Sequence, residues 1–209
     1  ELEIESVYLE QNETIQANSI VLNEELERAE FAFPVVLQPG PARLTCSFKG
    51  TLNDKLRGFY RSTWKDESGH ERVIATTQFE STNARRAFPC FDEPDLKASF
   101  GVTLRVDSSL MAVSCGELIS STELDDGRRE DTFADTMVMS TYLVAFIVGE
   151  LEATEAVNVD GVPLRIVHVP GKGALTEFGL AAAEFSLRWL VDYYDIPYPA
   201  GKLDLIAVP

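Results

Sequence analysis

The feature that most constrains this chain is a succession of short alternating or β-branched segments covering its first three quarters. Segments 2–9, 15–22, 28–37, 42–49, 57–64, 72–79, 98–106, 111–119, 130–139 and 141–151 have this character. An apolar residue at every second position gives a strand one buried face, which a helix of period 3.6 cannot do. The segments are separated by turn chemistry at the spacing of sandwiches and barrels. Asp126-Gly127 and Asp160-Gly161 suit the positive φ of tight hairpin turns, and Glu67-Ser68-Gly69 suits a slightly longer one. Stretch 80–97 breaks the pattern with Pro89, Pro94 and small polar residues, and is expected to be an ordered loop or short helical turn.

The last quarter changes character. Residues 163–169 read as a strand and 174–194 as the one convincing helix, in which Phe178, Ala182, Phe185, Trp189 and Tyr193 recur at steps of three and four and predict a single apolar face. Pro197 and Pro199 stop it, and 203–208 reads as a further strand. A βαβ-like tail after an all-β region predicts a domain boundary near 152–157, dividing the chain into 1–153 and 154–209. The fold class expected is mainly β: a multi-sheet sandwich or saddle-like domain followed by a small α/β segment.

Charge narrows the partners. Lys+Arg number 18 against Asp+Glu 34, a net charge of −16. Such a surface repels nucleic acid and anionic membranes and favours cationic ligands. The longest apolar stretch, 142–148, is of strand length, so no membrane segment is expected. Cys46, Cys90 and Cys115 cannot close a set of bridges and show no CxxC spacing, which fits a reducing compartment. Acidity and low cysteine use point to a bacterial cytosol. Cys46, in the alternation Leu44, Cys46, Phe48, is expected to be a small buried hydrophobe. The chain opens at Glu1 inside an alternating run, and both ends are read as cut ends.

Catalytic motifs are absent from the sequence. With only His70 and His168, the HExxH pattern cannot be built, because it needs two imidazoles on one helix face with a glutamate between them. There is no GxSxG elbow and no P-loop. Gly171-Lys172-Gly173 lies where a helix N-terminus could attract an anion, but it lacks the Walker pattern and reads as the loop that starts the helix.

The informative stretch runs Thr76-Thr77-Gln78-Phe79-Glu80-Ser81-Thr82-Asn83-Ala84-Arg85-Arg86-Ala87-Phe88-Pro89-Cys90-Phe91-Asp92-Glu93-Pro94-Asp95-Leu96-Lys97-Ala98-Ser99-Phe100. Gln78 and Glu80 stand two apart and share one face of an extended strand. An amide oxygen beside a carboxylate can grip an ammonium group. From the residues alone, a solvated strand end is the favoured reading over such a grip.

This stretch closely resembles the aminopeptidase N family of zinc metallopeptidases, whose members carry TQ-x-E followed by AR-x-x-FPC-x-DEP-x-x-KA-x-F. Residues 139–149 resemble the strand that closes the family's N-terminal domain. Tyr193-Tyr194-Asp195-Ile196-Pro197-Tyr198-Pro199 with Lys202-Leu203-Asp204-Leu205-Ile206-Ala207-Val208-Pro209 resembles the entry to its thermolysin-like catalytic domain. The resemblance implies that 1–153 cover most of the N-terminal β-domain, without its first strands, and that 154–209 begin the catalytic domain. The missing first strands would leave a sheet edge unpaired. A Gly-Ala-Met-Glu-Asn motif, then HExxH and the zinc ligands, are expected beyond Pro209. This stretch would then bind no zinc, carry no catalytic residue and hydrolyse nothing alone.

The resemblance also assigns positions. Glu80 matches the glutamate that binds the substrate's free α-ammonium, and Gln78 the glutamine lining the pocket for the first side chain. Arg85 or Lys97 paired with Asp92 or Glu93 would brace the loop presenting Glu80, with Cys90 buried beside them and Tyr60 and Trp64 as core or interface aromatics. The partners implied are peptides with a free N-terminus and the rest of the chain's own catalytic domain. A membrane-anchored parent is compatible with the family. The alternative is a non-catalytic relative using the β-domain as an interaction scaffold, against which the Gln78/Glu80 pair argues. A relative with epoxide-hydrolase activity fits the FPCFDEP stretch less well.

Overall fold

The computed structural model describes residues 2–209. Strands β1 (Leu2–Glu10), β2 (Thr14–Gln16), β3 (Ser19–Asn23), β4 (Arg28–Ala32) and β5 (Arg43–Gly50) come first, and β6 (Gly58–Lys65) and β7 (Glu71–Gln78) form the next hairpin. After a long loop follow β8 (Thr103–Asp107), β9 (Met111–Ser114), β10 (Leu118–Glu123), β11 (Arg128–Phe133) and β12 (Phe146–Gly149). Last are β13 (Glu152–Ala153), β14 (Val157–Val159), β15 (Val162–His168), helix α1 (Glu177–Tyr194) and β16 (Leu203–Ile206). The molecule is therefore mainly β, with several sheets and one α-helix among the described residues, as the alternation predicts.

The strands pair as β2-β1-β5, as the hairpin β3-β4, as β6-β7-β12-β9, as β10-β11-β8, and as β13-β15-β14 with β16 beside β15. Among the described residues every pairing between two of these strands is antiparallel except β15 with β16. Parallel neighbours need a crossover, and α1 supplies it, which is why one helix appears where it does.

Several expected strands are shorter or divided. Segment 15–22 splits into β2 and β3 because the chain changes sheets there: Ala17 N–H donates to the Val7 carbonyl and Asn18 N–H to the Ala32 carbonyl, both at 2.9 Å. Segment 28–37 ends at Ala32, since Pro34 has no N–H to offer the ladder. Segment 111–119 breaks at Gly116, where an added Cβ would lie 2.0 Å from the Ala134 oxygen. Segment 141–151 opens with a 3-10 turn, Thr141–Leu143, before β12. Cys46 is half-buried rather than buried, and Leu44 and Phe48 are exposed, because β5 is the outer strand of its sheet.

The helix face also differs from expectation. Phe178, Phe185, Trp189 and Tyr193 are 85%, 70%, 50% and 67% exposed. The packed stripe is Leu180, Ala183, Leu187 and Val191, which meets Val159, Leu164, Leu203 and Leu205. Both stripes have helical spacing, so α1 carries two apolar faces and the sheet takes the less aromatic one. The helix ends at Asp195, whose φ of 53° is left-handed.

One core cluster binds the two halves of the chain. Ile74, Val113 and Ile147 from the β6-β7-β12-β9 sheet pack with Leu151, Val167 and Val169, and Trp64 and Ile206 close over them. Gly149 permits the tight approach, since a Cβ there would sit 2.4 Å from Cγ2 of Ile74. Burying a side chain the size of Ile74 contributes about 1.5–3 kcal/mol, so the residues on either side of 153 are held as one packed body.

Candidate substrate-anchoring site

The site forms where β7 runs out. Gln78 is the last ladder residue, opposite Gly58 of β6. Phe79 is 2% exposed, whereas Gln78 and Glu80 on either side of it are exposed. The strand alternation therefore persists two residues past the ladder and turns the amide and the carboxylate outwards together. Phe79 is the peg that holds them. Its ring meets Phe88 and Phe146 edge-on, each at 5.9 Å between centroids, and it packs with Ala84, Met139 and Val144. Gln78 Nε2 donates to the Glu80 carbonyl at 3.4 Å, tying the amide to the turn. The Glu80–Ser81 peptide is cis.

Beyond Glu80 the chain turns on the Asn83 N–H, which donates to the Phe79 carbonyl at 2.8 Å, and enters a 3-10 turn, Ala84–Arg86. Arg85 donates from Nε and from its backbone N–H to Asp92 Oδ2, at 2.9 and 3.2 Å. This is the brace expected from the sequence. Of the pairings left open there, Arg85–Asp92 is the one present; neither Lys97 nor Glu93 forms an ion pair among the described residues. The Asp92 side chain is 3% exposed, and its Oδ1 is buried with no hydrogen-bond partner among the described residues, so Arg85 is the counter-charge bonded to it. The hydrogen bond to Asp92 raises the Arg85 pKa. Ser140 Oγ and Thr141 Oγ1 donate to the carbonyls of Pro94 and Phe91, closing the loop against the turn before β12.

A second support comes from a residue that no sequence motif singles out. Glu27, at the tip of the β3–β4 hairpin, reaches Arg86 Nη2 at 2.8 Å and Arg85 Nη1 at 3.5 Å. No local spacing could signal it, because the pairing is entirely tertiary.

Among the described residues the Glu80 carboxylate forms no ion pair or hydrogen bond. Placed on a surface of net charge −16, it is a free anionic acceptor with an amide beside it. The cysteines offer no competing nucleophile. Burial, joined by the Asp92 charge, pushes the Cys90 thiol up to about 12, and burial also raises those of Cys46 and Cys115. Tyr60 is buried and Trp64 packs on the central core.

His70 is exposed in its turn, with Nδ1 2.7 Å from Ser68 Oγ, while His168 is buried on β15 with Nδ1 2.8 Å from the Val169 carbonyl. No group of three or more His, Cys, Asp or Glu that could hold a metal occurs among the described residues. The residues present therefore do not fit a zinc centre. Lys172 of the Gly171-Lys172-Gly173 run is exposed, and the run leads into a 3-10 turn, Gly173–Leu175, before the helix begins.

Comparison with known proteins gives the family of the chain. Residues 1–143 match the model of the peptidase M1 N-terminal domain. The chain is 47% identical over 188 residues to a puromycin-sensitive aminopeptidase of Caenorhabditis elegans, covering 90% of this chain and 20% of that protein. It is 41% identical over 212 residues to an alanine/arginine aminopeptidase of Saccharomyces cerevisiae, covering 100% and 24%. To endoplasmic reticulum aminopeptidase 1 of Homo sapiens it is 41% identical over 169 residues, covering 81% and 18%. The chain thus spans about a fifth of the length of these relatives. A family match over most of the chain, with aminopeptidase relatives at this identity, means that the chain belongs to the peptidase M1 family and carries its N-terminal domain.

Proposed function

We propose that this chain is the substrate-anchoring part of a zinc-dependent aminopeptidase, and that Glu80 and Gln78 receive the first residue of a peptide. The single observation carrying the reading is the pair of outward, adjacent acceptors at the end of β7, one of them a carboxylate without a partner in the described residues. A peptide's free α-amino group has a pKa of about 7.7–8.0, so much of it is cationic at neutral pH. Glu80 accepts from that ammonium, and Gln78 lines the space for the first side chain. The anchor acts as a ruler, because gripping the terminal nitrogen places the first peptide bond at a fixed distance from it. Glu80 is thus a binding group and takes no proton in the reaction.

Zinc and its ligands belong to parts of the protein outside residues 2–209. The boundary between the N-terminal domain and the start of the catalytic domain is proposed after residue 153, supported by the change from antiparallel sheets to the β15–α1–β16 crossover. The rest of the catalytic domain is the proposed partner of the aromatic face of α1. No helix among the described residues is long and apolar enough to cross a membrane. A cytoplasmic location draws support from the acidic surface and the three free thiols. A bacterial source draws none from the relatives named, which come from nematode, yeast and human.

The test is release of the N-terminal residue by the full-length protein from a peptide with a free amino terminus and from its N-acetylated form, before and after metal chelation. Hydrolysis of the free peptide alone, abolished by chelation and restored by zinc, is expected. Absence of hydrolysis with zinc supplied would favour the scaffold alternative.

A further inference from the structure

Two arginines follow the proposed anchor closely. Arg85 and Arg86 are the cations nearest to Glu80 in the sequence, since residues 73–84 contain neither lysine nor arginine. A guanidinium is the strongest side-chain partner a carboxylate can find, yet among the described residues Glu80 forms no ion pair. Both guanidinium groups are therefore held elsewhere.

Arg86 stands close to the anchor. Gln78 is opposite Gly58 in the β6–β7 ladder, and residues directly opposite share one face of a sheet. A Cβ added to Gly58 would lie 3.0 Å from Cβ of Arg86 and 3.8 Å from its Cδ. The Arg86 side chain thus crosses the space that a side chain opposite Gln78 would fill. Its Nε donates to Asn83 Oδ1 at 3.1 Å, and the Asn83 N–H donates to the Phe79 carbonyl at 2.8 Å. The guanidinium accordingly lies along the turn that begins at Glu80.

Two carboxylates take up the two charges. Asp92 binds Arg85 from within the loop, with Arg85 Nε 2.9 Å from its Oδ2. Glu27 lies 2.8 Å from Arg86 Nη2 and 3.5 Å from Arg85 Nη1. Glu27 is an unexpected residue for its place. It closes the four-residue turn between β3 and β4 with a φ of 51°, left-handed backbone that favours glycine. A side chain there costs backbone strain, and the strain sets a carboxylate against both arginines.

We propose that Glu27 is a positioning residue that holds the Arg86 guanidinium away from Glu80, and so keeps the anchor open to a substrate's ammonium. This rests on the reading of Glu80 as that anchor. When Glu27 is removed, Arg85 keeps Asp92, while Arg86 turns to Glu80 across the turn and competes with the substrate for the same oxygens. A site open for only a fraction of the time binds more weakly by that fraction. A peptide that does bind reacts as before, so KM rises and kcat does not change.

The experiment measures kcat, KM and thermal stability of the full-length protein, with a peptide bearing a free amino terminus, for Glu27→Gln, Glu27→Gly, Arg86→Gln and the Glu27→Gln/Arg86→Gln double variant. KM is expected to rise about two- to fivefold in Glu27→Gln, the size of an exposed ion pair, with kcat unchanged. In the double variant KM should return to the unaltered value, because the competing cation is gone. Glu27→Gly suits the left-handed backbone, so its KM should rise as in Glu27→Gln without loss of thermal stability. An unchanged KM in Glu27→Gln, no recovery in the double variant, or a KM rise seen only where stability is lost would overturn the role of Glu27. Glu80→Ala separates this from the underlying reading: weakened kinetics there leave the anchor standing whatever Glu27 does, and unaltered kinetics remove the anchor and the role of Glu27 with it.

Discussion

Glu80 and Asp92 are carboxylates of the same loop in opposite environments. Asp92 is buried, bonded twice to Arg85, and enclosed by a chain that Ser140 and Thr141 pin from the other side. Glu80 is exposed, with no partner in the described residues, and sits directly after a buried phenylalanine that holds its backbone in place. The first charge is consumed by the structure, and the second is presented by it. The difference separates two kinds of charge within one stretch: burial with internal pairing marks the brace, and exposure beside a buried peg marks the residue proposed as the anchor.

The comparison breaks most readily at Arg85. Arg85→Met leaves Asp92 buried without its counter-charge, and losing one partner of a buried pair costs about 3–5 kcal/mol. The expected value is about 3 kcal/mol, at the lower end because Arg85 is 27% exposed. Urea denaturation measures it, and a loss below about 0.5 kcal/mol would place Asp92 among charges that brace nothing.

A smaller effect concerns acid. Burial works against the Asp204 charge, but the hydrogen bonds from Arg165 and Lys202 outweigh it and leave the pKa lowered. A depressed carboxylate contributes stability that is fully present above its unfolded pKa of about 3.9 and is lost as pH falls through the folded value. Stability should therefore drop below about pH 4, and the drop should be shallower in Asp204→Asn. Parallel slopes in the two proteins would mean that Asp204 is not held by its partners.

The smallest effect is expected at the proposed anchor, Glu80. Glu80→Ala should change the stability of this chain by no more than about 0.5 kcal/mol, as for an exposed side chain with no internal contact. A cost comparable with that of Arg85→Met would make Glu80 a second brace.

Much of the fold and of the geometry of the proposed anchor is legible in the order of the residues alone. Alternation identifies the β-domain, the Asp160-Gly161 pair does take the positive φ values of its turn, 52° and 93°, and the outward pairing of Gln78 with Glu80 follows from a spacing of two. What stays hidden is tertiary. Helix α1 carries two stripes at helical spacing, and only the neighbouring sheet decides that Leu187 faces inwards and Phe185 outwards. Glu27 reaches Arg85 and Arg86 from a distant hairpin, and Lys202 reaches Ser114 across two sheets; neither pairing leaves a local pattern. The break at Gly116 escapes a reading by alternation, because a strand that changes sheets keeps its alternation on both sides.

The central claim is that Glu80 binds the free ammonium of a peptide, and it is tested most directly by comparing Glu80→Gln with the unaltered full-length protein on a free and an N-acetylated peptide. A hydrogen bond to a charged group is worth roughly 1.5–3 kcal/mol, so kcat/KM for the free peptide should fall about tenfold to a hundredfold, with the preference over the acetylated peptide falling in step and thermal stability unchanged. An unaltered kcat/KM and an unaltered preference would contradict the anchor.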